Sequence, residues 1–221
     1  MSGPLTDAMA DGRPARGPTL TRGHAALALA LLLGLQPITT DVFLPALPAL
    51  TQALGATVEQ AQLTMSALIL AFGVAQLVWG PVADRVGRRR VLLAGLGVYV
   101  VASVGATLAG HIEVLVAWRV LQGATLAAAV VCARAIVRDL YDPFEGAQVM
   151  SLGLSGLAVI ALLSPTLGGV AMTFGGWRST LALVSAAGIV ALAWVARELP
   201  ETAPALNPRA TAPAALLAQW R

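Results

Sequence analysis

The stretch Gly80-Pro-Val-Ala-Asp-Arg-Val-Gly-Arg-Arg-Arg90 separates two long apolar runs and carries the densest cluster of charge in the chain. Two apolar helices joined by so few residues are predicted to form an antiparallel hairpin, with the arginines at one membrane surface. Because successive membrane spans alternate in direction, the orientation of all the remaining apolar runs follows from this hairpin.

The composition predicts a membrane protein. Only 11% of the 221 residues are charged, 57% are hydrophobic and none is lysine, and the mean hydropathy is +0.79. A soluble domain carries roughly twice that charged fraction. The isoelectric point near 10.0 does not indicate a nucleic-acid partner, because the arginines lie between apolar runs instead of forming one patch. We expect an all-α, multi-pass protein in contact with the lipid bilayer and not with nucleic acid.

Six apolar runs are each about 20 residues or longer, enough to cross ~30 Å of hydrocarbon at ~1.5 Å per residue. They predict a six-helix transmembrane bundle over residues 24–198. A disordered cytoplasmic tail is expected at 1–23, and the truncated start of a cytoplasmic linker at 199–221. The spans are expected at 25–46, 60–82, 91–110, 113–136, 147–172 and 177–197.

The arginines set the orientation of these spans. If the spans alternate, twelve arginines fall on one side: three in the tail, four in the 80–90 turn, two after the fourth span and three near the C-terminus. The loops on the opposite side contain a single arginine, Arg178. Loops rich in arginine stay in the cytoplasm, so both termini are predicted to face the cytoplasm.

Asp41 and Arg119 are charges within predicted spans, where a charge costs roughly 2.5–3.5 kcal/mol near the bilayer centre and less near its surface. Both are expected ~7–9 Å below the outer surface, and Gln122 lies on the same helix face as Arg119. The two charges are predicted to face one polar cavity or each other, so that protonation of the carboxylate responds to its partner. Alternatively, Arg119 extends to the headgroups and Asp41 ends its helix near Pro45.

The 80–90 turn contains more than a positively charged membrane anchor requires. Gly80 and Gly87 permit a tight turn. Asp84 can pair with Arg85 or Arg88, or with a nearby helix N-terminus. We therefore predict a structured, ion-paired turn at this position.

In the fifth span, the run from Ser164 through Pro165 to Gly168 and Gly169 combines a proline with paired glycines. A proline within a span bends its helix, and glycines allow two backbones to approach closely. A functional kink and simple helix packing with no further role explain this pattern equally well.

These motifs together resemble those of the major facilitator superfamily. The 80–90 turn resembles its G-x-x-x-D-R-x-G-R-R signature between helices two and three, and Arg119-Val-Leu-Gln-Gly123 resembles its fourth-helix R-x-x-Q-G element. The run at 164–169 resembles the fifth-helix antiporter signature, with Ser164 in place of a glycine. Three further strings are similar to those of the bicyclomycin/chloramphenicol-resistance group of drug:proton antiporters: 40–48, 133–141 and 199–202.

This resemblance covers about residues 25–205, the N-terminal half of a twelve-helix transporter. It implies that helices one and four line the central cavity, and that Asp84 and the arginines around it latch the cytoplasmic side against the second half. Arg134 and Arg138 would lie near that latch. The implied activity is proton-coupled efflux of drugs or other small lipophilic compounds, with the proton gradient as energy source and no cofactor. A second six-helix half, or a homodimer partner, would complete the carrier.

Two other functions stay open. The chain could be a non-transporting truncated remnant or a membrane scaffold, because one bundle alone has no second bundle to move against. The remote alternative is an intramembrane serine protease, since Ser155 lies in a G-x-S-G pattern. That chemistry requires a histidine base nearby, and His24 and His111 fall at the ends of predicted spans. We expect a transporter and not an enzyme, with no metal site.

Overall fold

A computed structural model describes residues 20–202 of the chain. This part contains a short 3-10 helix at Leu44–Ala46 and seven α-helices: α1 (Arg22–Asp41), α2 (Leu47–Leu54), α3 (Val58–Val86), α4 (Arg88–Thr107), α5 (Ile112–Leu140), α6 (Pro143–Gly175) and α7 (Trp177–Glu198). Six stretches are long and apolar enough to cross a membrane, α1 to α2 counting as one. The predicted all-α bundle of six spans is confirmed. Most of the predicted tail and linker lies outside the described residues.

The first span is not the single helix predicted over 25–46. It breaks after Asp41, and α2 occupies the region predicted as an outer loop. Pro45 and Pro48 lie in the first turns of the 3-10 helix and of α2, where the missing N–H of proline breaks no helical hydrogen bond. Asp41 is therefore the last residue of α1, and the prediction that it lies about a turn inside the helix is wrong.

The turn between α3 and α4 is shorter than predicted. α3 continues through Gly80 and Pro81 to Val86, α4 begins at Arg88, and Gly87 alone separates them. Gly87 has a φ of +105°, a conformation that glycine adopts without steric cost. The expectation of a tight turn holds at Gly87. It is wrong at Gly80, which lies inside a helix.

α5 is the central helix of the bundle. In the most apolar stretch of α5, 72% of the residues are buried, compared with 11% in the corresponding stretches of α3 and α6. α5 packs along α3 and α4, and α1 packs along α6. Glycine permits the first contact, because a Cβ added at Gly123 of α5 would lie 2.2 Å from the carbonyl oxygen of Leu68. Lipid is as apolar as the side chains, so such close packing is a main source of helix association in membranes.

The two glycines of the fifth-span motif differ in their surroundings. A Cβ at Gly168 would lie 2.2 Å from the carbonyl oxygen of Val42, just beyond the end of α1. A Cβ at Gly169 would meet nothing within 4 Å. Pro165 lies inside the continuous helix α6, and the hydroxyl of Ser164 donates to the carbonyl oxygen of Ile160 at 2.7 Å. The close approach predicted for the pair is made by Gly168 alone.

We predict that Gly168→Ala destabilises the bundle by about 1–3 kcal/mol, because the new methyl group forces two backbones apart. Gly169→Ala is the matched control, and it should be neutral or stabilise by up to about 1 kcal/mol through its higher helix propensity. Reversible unfolding in mixed micelles measures both variants. Equal effects of the two substitutions would contradict this account of the contact.

Candidate functional site

Arg119 of α5 lies at the centre of a buried polar cluster, and none of its side-chain surface is exposed. Its Nη1 donates to the carbonyl oxygen of Thr39 at 3.2 Å and to Oε1 of Gln122 at 2.8 Å. Nη2 lies 3.7 Å from the Met65 sulfur, and the guanidinium lies 4.0 Å from the centre of the Phe43 ring. Nε has no hydrogen-bond partner. The guanidinium thus joins α5, α3 and the end of α1.

Dipoles and an aromatic face, and not a carboxylate, surround this buried charge. Thr39 lies in the last turn of α1, where carbonyl groups lack helical partners and carry the negative end of the helix dipole. A desolvated guanidinium over an aromatic ring gains about 2 kcal/mol. Among residues 20–202, no carboxylate lies within ion-pair distance of Arg119. The site is therefore positively charged in its interior.

Hydroxyl groups extend the cluster to α4. Nε2 of Gln122 donates to the Ser103 hydroxyl at 2.6 Å, which in turn donates to the carbonyl oxygen of Tyr99 at 2.7 Å. The Tyr99 hydroxyl lies 2.6 Å from the hydroxyl of Thr39. Hydrogen bonds thus connect α5, α4 and α1 around Arg119. Gln122 lies beside Arg119 as its spacing indicates, but the hydroxyl groups come from separate helices and share no sequence pattern.

Asp41 lies near this cluster without pairing to Arg119. Its carboxylate is partly buried and accepts a hydrogen bond from the Thr40 hydroxyl at 2.7 Å. It follows by two residues Thr39, whose carbonyl group binds the guanidinium. The alternative that Asp41 ends its helix is what the structure shows. The alternative that Arg119 extends to the headgroups is wrong, because its side chain is fully buried.

A second polar cluster lies at the end of the bundle where α3 meets α4, which we call the arginine-rich end. Arg88 is its centre and is buried. Its Nη2 lies 2.6 Å from Oδ1 of Asp84, and its Nε lies 3.1 Å from Oδ2 of Asp139. The pairing expected between Asp84 and Arg88 is present. The sequence did not predict Asp139 as a partner, because only the fold brings the end of α5 to this turn. Its side chain is only 9% exposed.

The other arginines named from the sequence lie at the surface of this end. The side chains of Arg85 and Arg134 are exposed. Arg138 is also exposed, with its Nε 3.9 Å from Oδ1 of Asp139. This ion pair joins Arg138 to the Arg88 cluster, and at that distance it is weak.

The serine of the G-x-S-G pattern, Ser155, lies on the exposed face of α6. Its flanking glycines, Gly153 and Gly156, lie against Leu29 and Ala30 of α1. The hydroxyl of Ser155 donates to a backbone carbonyl group one turn earlier in α6. Neither imidazole of the described residues hydrogen-bonds to Ser155: one lies in the first turn of α1 and the other immediately precedes α5. These glycines serve helix packing.

Six apolar spans with two polar clusters define a multi-pass α-helical membrane protein. The chain belongs to the Major Facilitator Superfamily, whose family model matches residues 29–221. The resemblance of its motifs to this superfamily is confirmed.

Curated relatives are resistance proteins and transporters. The chain is 40% identical over 164 residues to a chloramphenicol resistance protein of Pseudomonas aeruginosa, covering 73% of this chain and 39% of that protein. It is 35% identical to multidrug resistance protein D of Escherichia coli, covering 83% and 46%. It is 31% identical to a bicyclomycin resistance protein homolog of Haemophilus influenzae, covering 80% and 44%. The chain thus spans less than half the length of these relatives.

Solved structures share the fold. The proton:xylose symporter XylE superposes with a TM-score of 0.72 at 16% identity, over 82% of this chain and 45% of that one. The human organic anion transporter MFSD10 superposes with a TM-score of 0.70 at 20% identity, over 87% and 51%. The described bundle therefore has the architecture of about half of such a transporter, as expected.

We predict that Asp139→Ala lowers stability by about 3 kcal/mol, because it leaves the buried Arg88 short of a partner. Asp84→Ala, the matched control at the more exposed partner of the same arginine, should cost less than about 1 kcal/mol. Unfolding in mixed micelles compares the two variants. If the loss at Asp84 equalled that at Asp139, burial would not be what makes the second ion pair matter.

Proposed function

We propose that this chain is the N-terminal half of a proton-coupled drug-efflux transporter, with both termini in the cytoplasm of a bacterial inner membrane. One observation carries the proposal: a fully buried guanidinium, without a carboxylate partner among the described residues, binds the end of α1, whose last residue is the partly buried Asp41. Charged side chains within the membrane are expensive. Such residues mark ion and substrate pathways in membrane proteins.

Asp41 is the proposed proton-binding group. Its partial exposure gives protons access, and it follows by two residues Thr39, whose carbonyl group binds Arg119. Protonation removes a negative charge from the end of α1, where the chain breaks before the 3-10 helix at Leu44–Ala46. A broken helix at this point allows a local change in charge to become a change in the position of α1 relative to α5.

Arg119 and Gln122 are the proposed cavity residues. Since Nε of Arg119 lacks a partner, a polar atom of a substrate or a water molecule can satisfy it when the cavity opens. The names of the relatives point to chloramphenicol, bicyclomycin and multiple drugs. We propose small lipophilic drugs as the substrate class, with the proton gradient as the energy source and no further cofactor.

A second six-helix bundle, either a further half or a second copy of this chain, is the proposed partner. α3 and α6 have the least buried apolar windows of the described bundle, and exposed apolar side chains such as Leu70 and Leu162 lie along them. Alternating access moves one bundle against another around a central site. The Arg88 cluster then holds the cytoplasmic side of this bundle against that partner, with Arg85, Arg134 and Arg138 at its surface.

The second candidate function is a non-transporting remnant or membrane scaffold. The described residues form one six-helix bundle, whereas alternating access moves one bundle against another. The test is drug efflux driven by an imposed proton gradient, in vesicles that contain only this chain. Efflux above that of empty vesicles supports a functional carrier, and no efflux supports the scaffold. We propose a transporter and not an enzyme, since the chain belongs to the Major Facilitator Superfamily and its relatives are resistance proteins.

We predict that Asp41→Asn abolishes proton-driven efflux in the complete transporter and leaves membrane insertion intact, because the amide cannot bind and release a proton. The control is Asp142→Asn, the same change at an exposed carboxylate that precedes α6. Drug-induced proton flux in inverted vesicles measures both. Unchanged coupling in the Asp41 variant would exclude this carboxylate as the proton-binding group.

We predict that Arg119→Ala weakens both proton coupling and drug binding, because Gln122 and the Thr39 carbonyl group lose their donor. Arg119→Lys should retain only part of the activity, since an ammonium keeps the charge but loses the planar contact with Phe43 and the forked hydrogen bonds. Drug binding and efflux are measured for both variants. Normal values in the alanine variant would leave Arg119 a purely structural role.

A further inference from the structure

The segment that follows α7 returns to the arginine-rich end and binds the start of α4. Oε1 of Glu201 accepts the backbone N–H of Arg88 at 2.8 Å and that of Arg89 at 3.5 Å. It also accepts the N–H of Thr202 at 3.1 Å. A carboxylate more than a hundred positions later in the sequence thus supplies the acceptor for the first turn of this helix.

Helix α4 needs such an acceptor from outside. The first N–H groups of a helix have no partners within it, and the residue before α4 is Gly87, which has no side chain to supply one. The positive end of the helix dipole favours a carboxylate here. A Cβ at Gly87 would lie 2.5 Å from Oε2 of Glu201. Gly87 therefore provides both the turn and the space that the carboxylate occupies.

Arg89 holds the same segment from its other side. Its Nε donates to the carbonyl oxygen of Leu199 at 2.7 Å, and its Nη2 donates to that of Ala196 at 2.9 Å. These carbonyl groups end α7, where partners within the helix are missing and a positive charge is favourable. The end of α7 and the start of α4 thus satisfy each other's unpaired backbone groups.

Arg88 connects this contact to the ion pairs of the arginine-rich end. Its backbone N–H binds Glu201, while its side chain binds Asp84 of α3 and Asp139 of α5. Three helices and the segment after the last span therefore meet at one buried residue. Glu201 therefore belongs to the same network of contacts as both aspartates.

We infer that Glu201 is a positioning residue that ties the segment after the sixth span to Arg88, so that movement of this segment is transmitted to the Arg88 ion pairs. We call this contact the Glu201 latch. It makes residues 199–202 part of the bundle and not a free linker. The inference does not depend on the proposed transport function, because the contacts that carry it lie within the described bundle.

Amide hydrogen exchange of the full 221-residue chain in lipid nanodiscs tests the latch. Glu201→Ala should speed exchange of the Arg88 and Arg89 amides about tenfold, the size expected for losing a hydrogen bond to a charged acceptor. Exchange in the last turn of α5, around Asp139, should also rise, by a smaller factor. Glu201→Gln, which keeps an acceptor but loses the charge, should give an intermediate increase.

Glu198→Ala is the matched control, because this exposed carboxylate lies three residues earlier and has no described partner. It should leave exchange unchanged at all of these positions. An increase confined to the α4 amides would overturn transmission to Arg88, and no increase would overturn the latch itself. Equal increases in all helices for both Glu201 variants would also overturn it, because Glu201 would then stabilise the whole bundle instead of this turn.

Discussion

The constraint on which the structure depends is the cost of a guanidinium buried in a membrane-spanning bundle. Arg119 has no carboxylate within ion-pair distance among the described residues, so uncharged groups must stabilise its charge. The Thr39 carbonyl group in the last turn of α1, the Gln122 amide and the Phe43 ring do so. Because these groups belong to different elements, the end of α1 is fixed against α5 by electrostatics as well as by packing.

Close backbone packing makes this arrangement possible. Gly123 lies one turn after Arg119 and brings α3 against α5, while Gly168 brings α6 against the chain just beyond α1. Both glycines thus lie at contacts next to the buried cluster. In a membrane, where burial of apolar surface drives helix association little, such contacts and interhelical hydrogen bonds hold the helices together. The polar cluster and the glycine contacts therefore depend on each other.

At the arginine-rich end, carboxylates instead of uncharged groups stabilise a buried guanidinium. Arg88 is buried but lies at the start of its helix. The carboxylates of Asp84 and Asp139 pair with its side chain, and that of Glu201 accepts its backbone N–H. Here the ion pairs are direct, whereas Arg119 makes none with the described residues. A direct pair favours one fixed arrangement, while an unpaired buried charge leaves capacity for a further ligand. This difference supports the locking role proposed for the Arg88 cluster and the binding role proposed for the Arg119 cluster.

The sequence by itself determined the six spans, the tight turn at Gly87 and the superfamily, because hydrophobic length, charge position and local spacing encode these features. It offered Arg88 as one of several partners for Asp84, and the structure selected that pair. It did not determine the break of the first span after Asp41, or that Gly80 lies within a helix, since apolar runs do not show where a helix bends. Only the tertiary structure brought Thr39, Tyr99 and Ser103 to Arg119, and Asp139 and Glu201 to Arg88. These partners come from helices distant in sequence, and a hydrogen bond between such helices depends on packing geometry that no local pattern records.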